Sequence, residues 1–205
     1  MTPDYWLKAS RTLARRDPVF RKLVKSYPGV TLRSRGDAFQ TLARAIVGQQ
    51  ISVKAAESVW LRFVSTVASM HPARVLRAEP EKLRAAGLSN RKVEYVRDLA
   101  RHFHEGLLDE ARWPDLTDDE IIADLVQVKG IGRWSAEMFL IFYLMRPDVL
   151  PLDDIGLQRA IEIHYNDTER MTREEMREIA ETWRPWSTVA TWYLWRSLDP
   201  IPVEY

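Results

Sequence analysis

"LVQVKGIGRWSAEMFL", residues 125–140, is the stretch on which the reading of the whole chain turns. Gly130 and Gly132 bracket Ile131, and a cation stands on each side, Lys129 and Arg133. Beyond them Ala136, Phe139, Leu140, Tyr143 and Leu144 recur at the spacing of one helical face. The pattern predicts one helix ending near Val126 to Val128, a glycine turn, and a second helix starting near Arg133. Glycine serves where φ must turn positive or where something must approach the main chain closely. The second helix offers unpaired N–H groups and the positive end of its dipole, a ready anion site. Ile131 would insert between the two helices and hold the turn. A plain helix C-cap uses glycine too, so the surroundings must decide.

Helix signals surround this hairpin. Asp37 with Gln40, Thr117 with Glu120 and Thr172 with Glu175 each read as a capping box. Phe39, Leu42, Ile46 and Val47 form an apolar stripe after the first box, and Ser52 can cap the next helix, with Ala55, Ala56, Val59 and Phe63. Val93, Val96, Leu99, Ala100 and Phe103 make another stripe, and 155–163 and 183–195 also read as helical. The best strand candidate, "GVTLRS" at 29–34, is short. Breakers at 27–29, 85–90, Pro72, Pro80, Pro114, Pro147 and Pro151 separate the helical runs. The expected fold is all-α, with about ten helices of ordinary length.

Composition narrows the chemistry. The 205 residues are 46% apolar and 29% charged, enough for a proper core. With no cysteine there is no disulfide framework, thiolate zinc site, iron–sulfur cluster or cysteine nucleophile. His71, His102, His104 and His164 are scattered, which argues against a metal–histidine centre. The opening "MTPDYWLKAS" lacks a signal-peptide core and no later run is long enough for a bilayer, so a cytoplasmic protein without membrane contact is expected. Net charge is only +1, so contact with nucleic acid must come from a local patch or from backbone donors. Eight tryptophans suit either a core or a stacking pocket.

The pattern LxxVxGIGxxSA stands complete from Leu125 to Ala136, and "VLPLDDIGLQRAI" follows at 149–161. Together they resemble the helix–hairpin–helix DNA glycosylase superfamily. "ARAIVGQQISVKAA" (43–56), "AGLSNRKVEYVRDLA" (86–100) and "AETWRPWSTVATWYLW" (180–195) narrow the resemblance to the 3-methyladenine DNA glycosylase II family. It implies a glycosylase domain over 37–197, with the helix–hairpin–helix at 121–145. An N-terminal helical segment (1–36) would pack on the lobes, and a tail would cover 198–205. The extra N-terminal β domain of some relatives would be lacking. The implied fold is two helical lobes with a cleft for a base flipped out of double-stranded DNA.

The resemblance also implies roles. The amides at Gly130 and Gly132, with Lys129 and Arg133, would hold a phosphate beside the damaged nucleotide. Carbonyls of Val126, Val128 and Gly130 could bind a structural sodium or potassium ion, no other cofactor being required. The family uses one aspartate against the oxocarbenium-like charge of glycosidic cleavage. Aligning on the glycine–aspartate pair common in the superfamily favours Asp154; aligning on the leucine–proline pair favours Asp153. Strand-cutting members carry a lysine just past the glycines; Trp134 stands there, so a glycosylase without lyase activity is expected. Trp134 and Trp195 would line the pocket for a cationic alkylated purine, with Met138 where the family can place tyrosine. Gln50, or else Ile51, would wedge into the gap left by the flipped base. Arg91 and Lys92 would add phosphate contacts. The expected protein is a monomer that repairs alkylated DNA. A clamp-only DNA-binding module and a glycosylase for deaminated or oxidised bases are the alternatives.

Overall fold

The computed structural model describes residues 2–29, 31–33 and 37–198. Among them twelve α-helices and one 3-10 turn (Trp113–Asp115) occur, and no strand. The "GVTLRS" segment is not a strand at 31–33; its residues 30 and 34 lie outside the described set, as does the tail beyond Leu198. The expected ten helices become twelve because Pro72 and Pro80 do not merely break helices. Each opens a six-residue one, α5 (Pro72–Arg77) and α6 (Pro80–Ala85). Proline's fixed φ and missing N–H suit the first helical position.

The chain divides into two compact units, 35–139 and the combination of 1–34 with 140–205. In the first, α7 (Asn90–His104) packs on α3 (Ala38–Gly48), α5 and α6, and α4 (Val53–Val67) packs on α3. Ser52 accepts from Ala55 N, and Thr117 and Glu120 close a full box at the start of α8 (Asp118–Leu125). Asp37 caps α3 by accepting from Gln40 N, but the Gln40 amide donates to its carboxylate instead of accepting from its N–H, so the expected box there is a simple cap. Phe39, Phe103, Trp113 and Phe139 form an edge-to-face chain through the core.

In the second unit α12 (Ser187–Leu198) is buried along most of its length and packs on α1 (Trp6–Arg16), α2 (Pro18–Ser26) and α10 (Ile155–Tyr165). Trp6 meets Trp192 edge-on at 5.1 Å and Phe20 meets Trp183 at 5.6 Å. The N-terminal helices therefore contribute to this unit's core. Thr172 and Glu175 box the start of α11 (Arg173–Glu181). Trp6, Trp60, Trp113, Trp183 and Trp192 are buried, so most of the unusual tryptophan content is core. Trp134, Trp186 and Trp195 are not.

Candidate active site

The glycine hairpin lies where its sequence puts it. α8 stops at Leu125 and α9 (Arg133–Phe142) starts after Gly132, whose carbonyl accepts from Ala136 N. Ile131 is buried and its N–H returns to Val128 O. The two glycines have different reasons to be glycine. Gly130 sits at φ +84°, and a Cβ there would lie 2.2 Å from Cδ2 of Tyr95. What comes close to its backbone is thus the chain's own α7. Around Gly132 a Cβ would meet nothing within 4 Å and φ is not left-handed. The open approach to the turn is at Gly132, on the N-terminal end of α9.

α7 holds this hairpin from beneath. Asp98 Oδ2 accepts from Lys129 N at 2.9 Å, and Oδ1 accepts from Arg101. Burial works against the Asp98 charge, but the Lys129 amide, Arg101 and His102 outweigh it and keep its carboxyl below the usual range. From the turn between α3 and α4, Gln49 Nε2 donates to Gly130 O at 2.8 Å. The next residue, Gln50, is exposed and has φ +58°. Left-handed backbone at a residue other than glycine is strained, and such strain gathers at functional sites. Ile51 beside it is exposed as well.

The expected cationic contacts differ in how they are engaged. Lys129 Nζ pairs with Glu94, which holds its ammonium above the usual range. Arg133 bonds Glu137 Oε1 at 3.0 Å and approaches Asp119. Lys92 Nζ donates to Val47 O at 2.7 Å, closing the end of α3, and burial lowers its pKa. Arg91 is exposed. Trp134 is 37% exposed, whereas Met138 one turn on is buried. Of the carbonyls expected to face a cation, Val128 O already accepts from Ile131 N and Gly130 O from Gln49, each with a second lone pair.

The acid belongs to the other unit. Residues 150–154 form a tight turn, with Leu152 N on Leu150 O, Asp154 N on Pro151 O, and Gln158 Nε2 on Leu152 O at 2.7 Å. The two aspartates part company there. Asp153 is exposed and pairs with Arg173 Nη1 at 2.8 Å. Asp154 is half-buried and is the N-cap of α10. Its Oδ1 accepts from Leu157 N at 2.7 Å and from Trp195 Nε1 at 2.8 Å. Asp154 thus caps α10 and meets the Trp195 indole through the same oxygen. The Trp195 ring stacks on Phe142 at 5.9 Å and 11°. Gly156 leaves room for this pair: a Cβ there would be 3.1 Å from Asp154 Oδ1. Tyr95, Asp98, Phe142 and Gln158 support these groups without having been singled out for it from the sequence.

Residues 43–185 match the model of the HhH-GPD superfamily of base excision DNA repair proteins. A crystal structure of a DNA-3-methyladenine glycosidase from Bacillus halodurans superposes with a TM-score of 0.88 at 33% identity, covering 97% of this chain and 92% of that one. The 3-methyladenine DNA glycosylase of Schizosaccharomyces pombe, solved in complex with abasic DNA, gives 0.79 at 31% identity over 96% of this chain and all of that one. DNA-3-methyladenine glycosylase 1 of the same yeast is 32% identical over 86% of this chain and 79% of its own length. Some relatives are longer; the chain spans 64% of one from Bacillus subtilis. The chain belongs to the HhH-GPD superfamily of base excision DNA repair proteins and, within it, to the 3-methyladenine DNA glycosylases.

Proposed function

We propose that this chain is a monofunctional DNA glycosylase for alkylated purines. It hydrolyses the N-glycosidic bond of a flipped-out base and leaves an abasic site in an intact strand. The carrying observation is the Asp154 carboxylate, oriented by the Leu157 amide and the Trp195 indole. Cleavage moves the bonding pair of C1′–N onto the base and leaves positive charge on the sugar. Asp154 stabilises that charge, orients the water that adds at C1′ and takes the proton that this water sheds. A purine alkylated at N3 or N7 is already cationic and leaves readily. The exposed indole of Trp134 offers it an electron-rich face. No amine stands at position 134 to form a Schiff base, which supports hydrolysis without strand cutting.

The open turn at Gly132 and the amides of α9 grip a phosphate, and Gln50 fills the gap in the duplex. The reaction requires no cofactor; a monovalent cation at the Val126 and Val128 carbonyls would be structural. The relative solved on abasic DNA supports DNA as the substrate. The test compares base release from methylated duplex DNA by the wild type, Asp153→Asn and Asp154→Asn, with abasic-duplex binding alongside. Only Asp154→Asn should lose release, by about 10²-fold or more, while binding persists. A wild type that binds but releases no base would leave only a DNA clamp.

A further inference from the structure

With a net charge of only +1, any grip on nucleic acid by charged side chains must come from a local concentration of cations, and unit 1–34/140–205 contains one. Helices α1 and α2 carry Lys8, Arg11, Arg15, Arg16, Arg21, Lys22 and Lys25 and no acidic residue. Everything outside these two helices therefore sums to −6. All seven side chains are exposed. Elsewhere in the unit Arg159, Arg173, Arg177 and Arg184 each pair with a carboxylate. None of the seven does so among the described residues. Arg16 and Arg21 reach backbone carbonyls and Lys8 lies over Trp186.

We propose that this face of α1 and α2 is an accessory phosphate-binding surface for undamaged duplex DNA, separate from the groups around Asp154. Lys8, Arg11 and Arg15 fall at i, i+3 and i+7, opposite the buried Trp6, Ala9 and Leu13. Lys22 and Lys25 lie opposite Phe20 and Leu23 in the same way. Both helices bury their apolar faces in the core and leave only Leu7 exposed among their large apolar side chains, too little to insert into a lipid surface, so the face is predominantly electrostatic. Duplex DNA, with one charge per about 1.7 Å of axis, suits such an array. The surface is distant from the acid. Asp17, at the corner between α1 and α2, accepts from Tyr165 OH at the far end of α10. Asp154 caps the near end, and eleven helical residues span about 16 Å.

The inference rests on the reading of the chain as a DNA enzyme, and its test separates the two. The variant combines Arg11→Gln, Arg15→Gln, Lys22→Gln and Lys25→Gln. A control of equal charge loss combines Arg77→Gln, Lys82→Gln, Arg84→Gln and Arg177→Gln, all exposed residues outside the groups around the hairpin and Asp154. Both are compared with wild type for binding to undamaged duplexes of roughly 12 and 40 base pairs across about 50–200 mM salt. Base release from a short alkylated duplex is followed in single turnover, and melting checks the fold. The salt slope should fall by about 0.9 for each phosphate that is no longer neutralised, so three such phosphates change the salt response roughly 40-fold over that range. Base release should stay within about twofold of wild type, below the 1.4 kcal/mol that a tenfold change represents. Weakening confined to the long duplex assigns the surface to DNA flanking the lesion. Disappearance of second-duplex stoichiometry on the short one assigns it to a separate segment. Unchanged slopes, or an equal weakening in the control, overturn the proposal. A wild type that binds DNA but releases no base sinks the glycosylase reading and leaves this comparison standing.

Discussion

Replacing Gly130 by alanine tests why the hairpin needs its first glycine. The new Cβ would sit 2.2 Å from Cδ2 of Tyr95 and 2.6 Å from Cγ, against an ordinary carbon contact of about 3.5–4.0 Å. The ring must therefore move by more than 1 Å, or the hairpin must lift off α7, which its Lys129–Asp98 bond resists. Such overpacking costs about 1–3 kcal/mol. The φ of +84° adds about 1–2 kcal/mol for a residue with a Cβ. Together Gly130→Ala should destabilise by about 2–5 kcal/mol, which in a chain of this size lowers Tm by about 5–20 °C. Gly132→Ala meets no protein atom and should stay within about 1 kcal/mol, the scale of a changed N-cap. Its effect should instead appear as weaker abasic-duplex binding, because the methyl occupies the approach a phosphate would use. Urea denaturation of Gly130→Ala, Tyr95→Ala and the double variant isolates the steric part, with an expected coupling of about 1–3 kcal/mol. Coupling near zero, or equal stability of the two alanine variants, would refute the reasoning.

Two further outcomes follow from the bonds around the hairpin and the acid. Trp195→Phe keeps an aromatic ring against Phe142 but removes the indole donor from Asp154. Hydrogen bonds to charged groups are worth about 1.5–3 kcal/mol, so single-turnover base release should slow roughly 10- to 100-fold. Trp186→Phe, at a half-buried tryptophan stacked on Tyr5, should not slow it comparably. At Asp98 the folded-state carboxyl is held below its ordinary value, so its stabilisation is present above a pH of about 4 and lost as pH falls through the lower folded-state value. The stability gap between wild type and Asp98→Asn should therefore be flat from about pH 7 to 5 and shrink only below about 4. A gap that instead closes between pH 7 and 5 would contradict that assignment.

The parts of the fold legible in the sequence are those fixed by near neighbours. Asp37, Ser52, Thr117 and Thr172 announce helix starts because each cap bond spans only three residues. The hairpin's limits follow from the same locality. α5 and α6 escaped because six residues are too few for a 3.6-residue period to show, leaving Pro72 and Pro80 to look like breaks. Asp153 and Asp154 could not be told apart by character, since both are acids before a helix. The distinction comes from Trp195, 41 residues on. The hairpin's supports were hidden for the same reason. Gln49 reaches Gly130 across 81 residues and Asp98 reaches Lys129 across 31, and no periodicity marks such pairs.

Those long-range bonds change what the glycine motif means. If both glycines served only to admit a phosphate, the turn would be a loose loop exposed to its ligand. Instead Tyr95, Asp98 and Gln49 fix one side of the turn, and only Gly132 faces open space. A grip that is already shaped loses less conformational freedom on binding, so more of its interaction energy remains as affinity. Gln49 also ties the hairpin to the strained turn that carries Gln50, through a single hydrogen bond. On the proposed reading, phosphate gripping and gap filling would be built on one support.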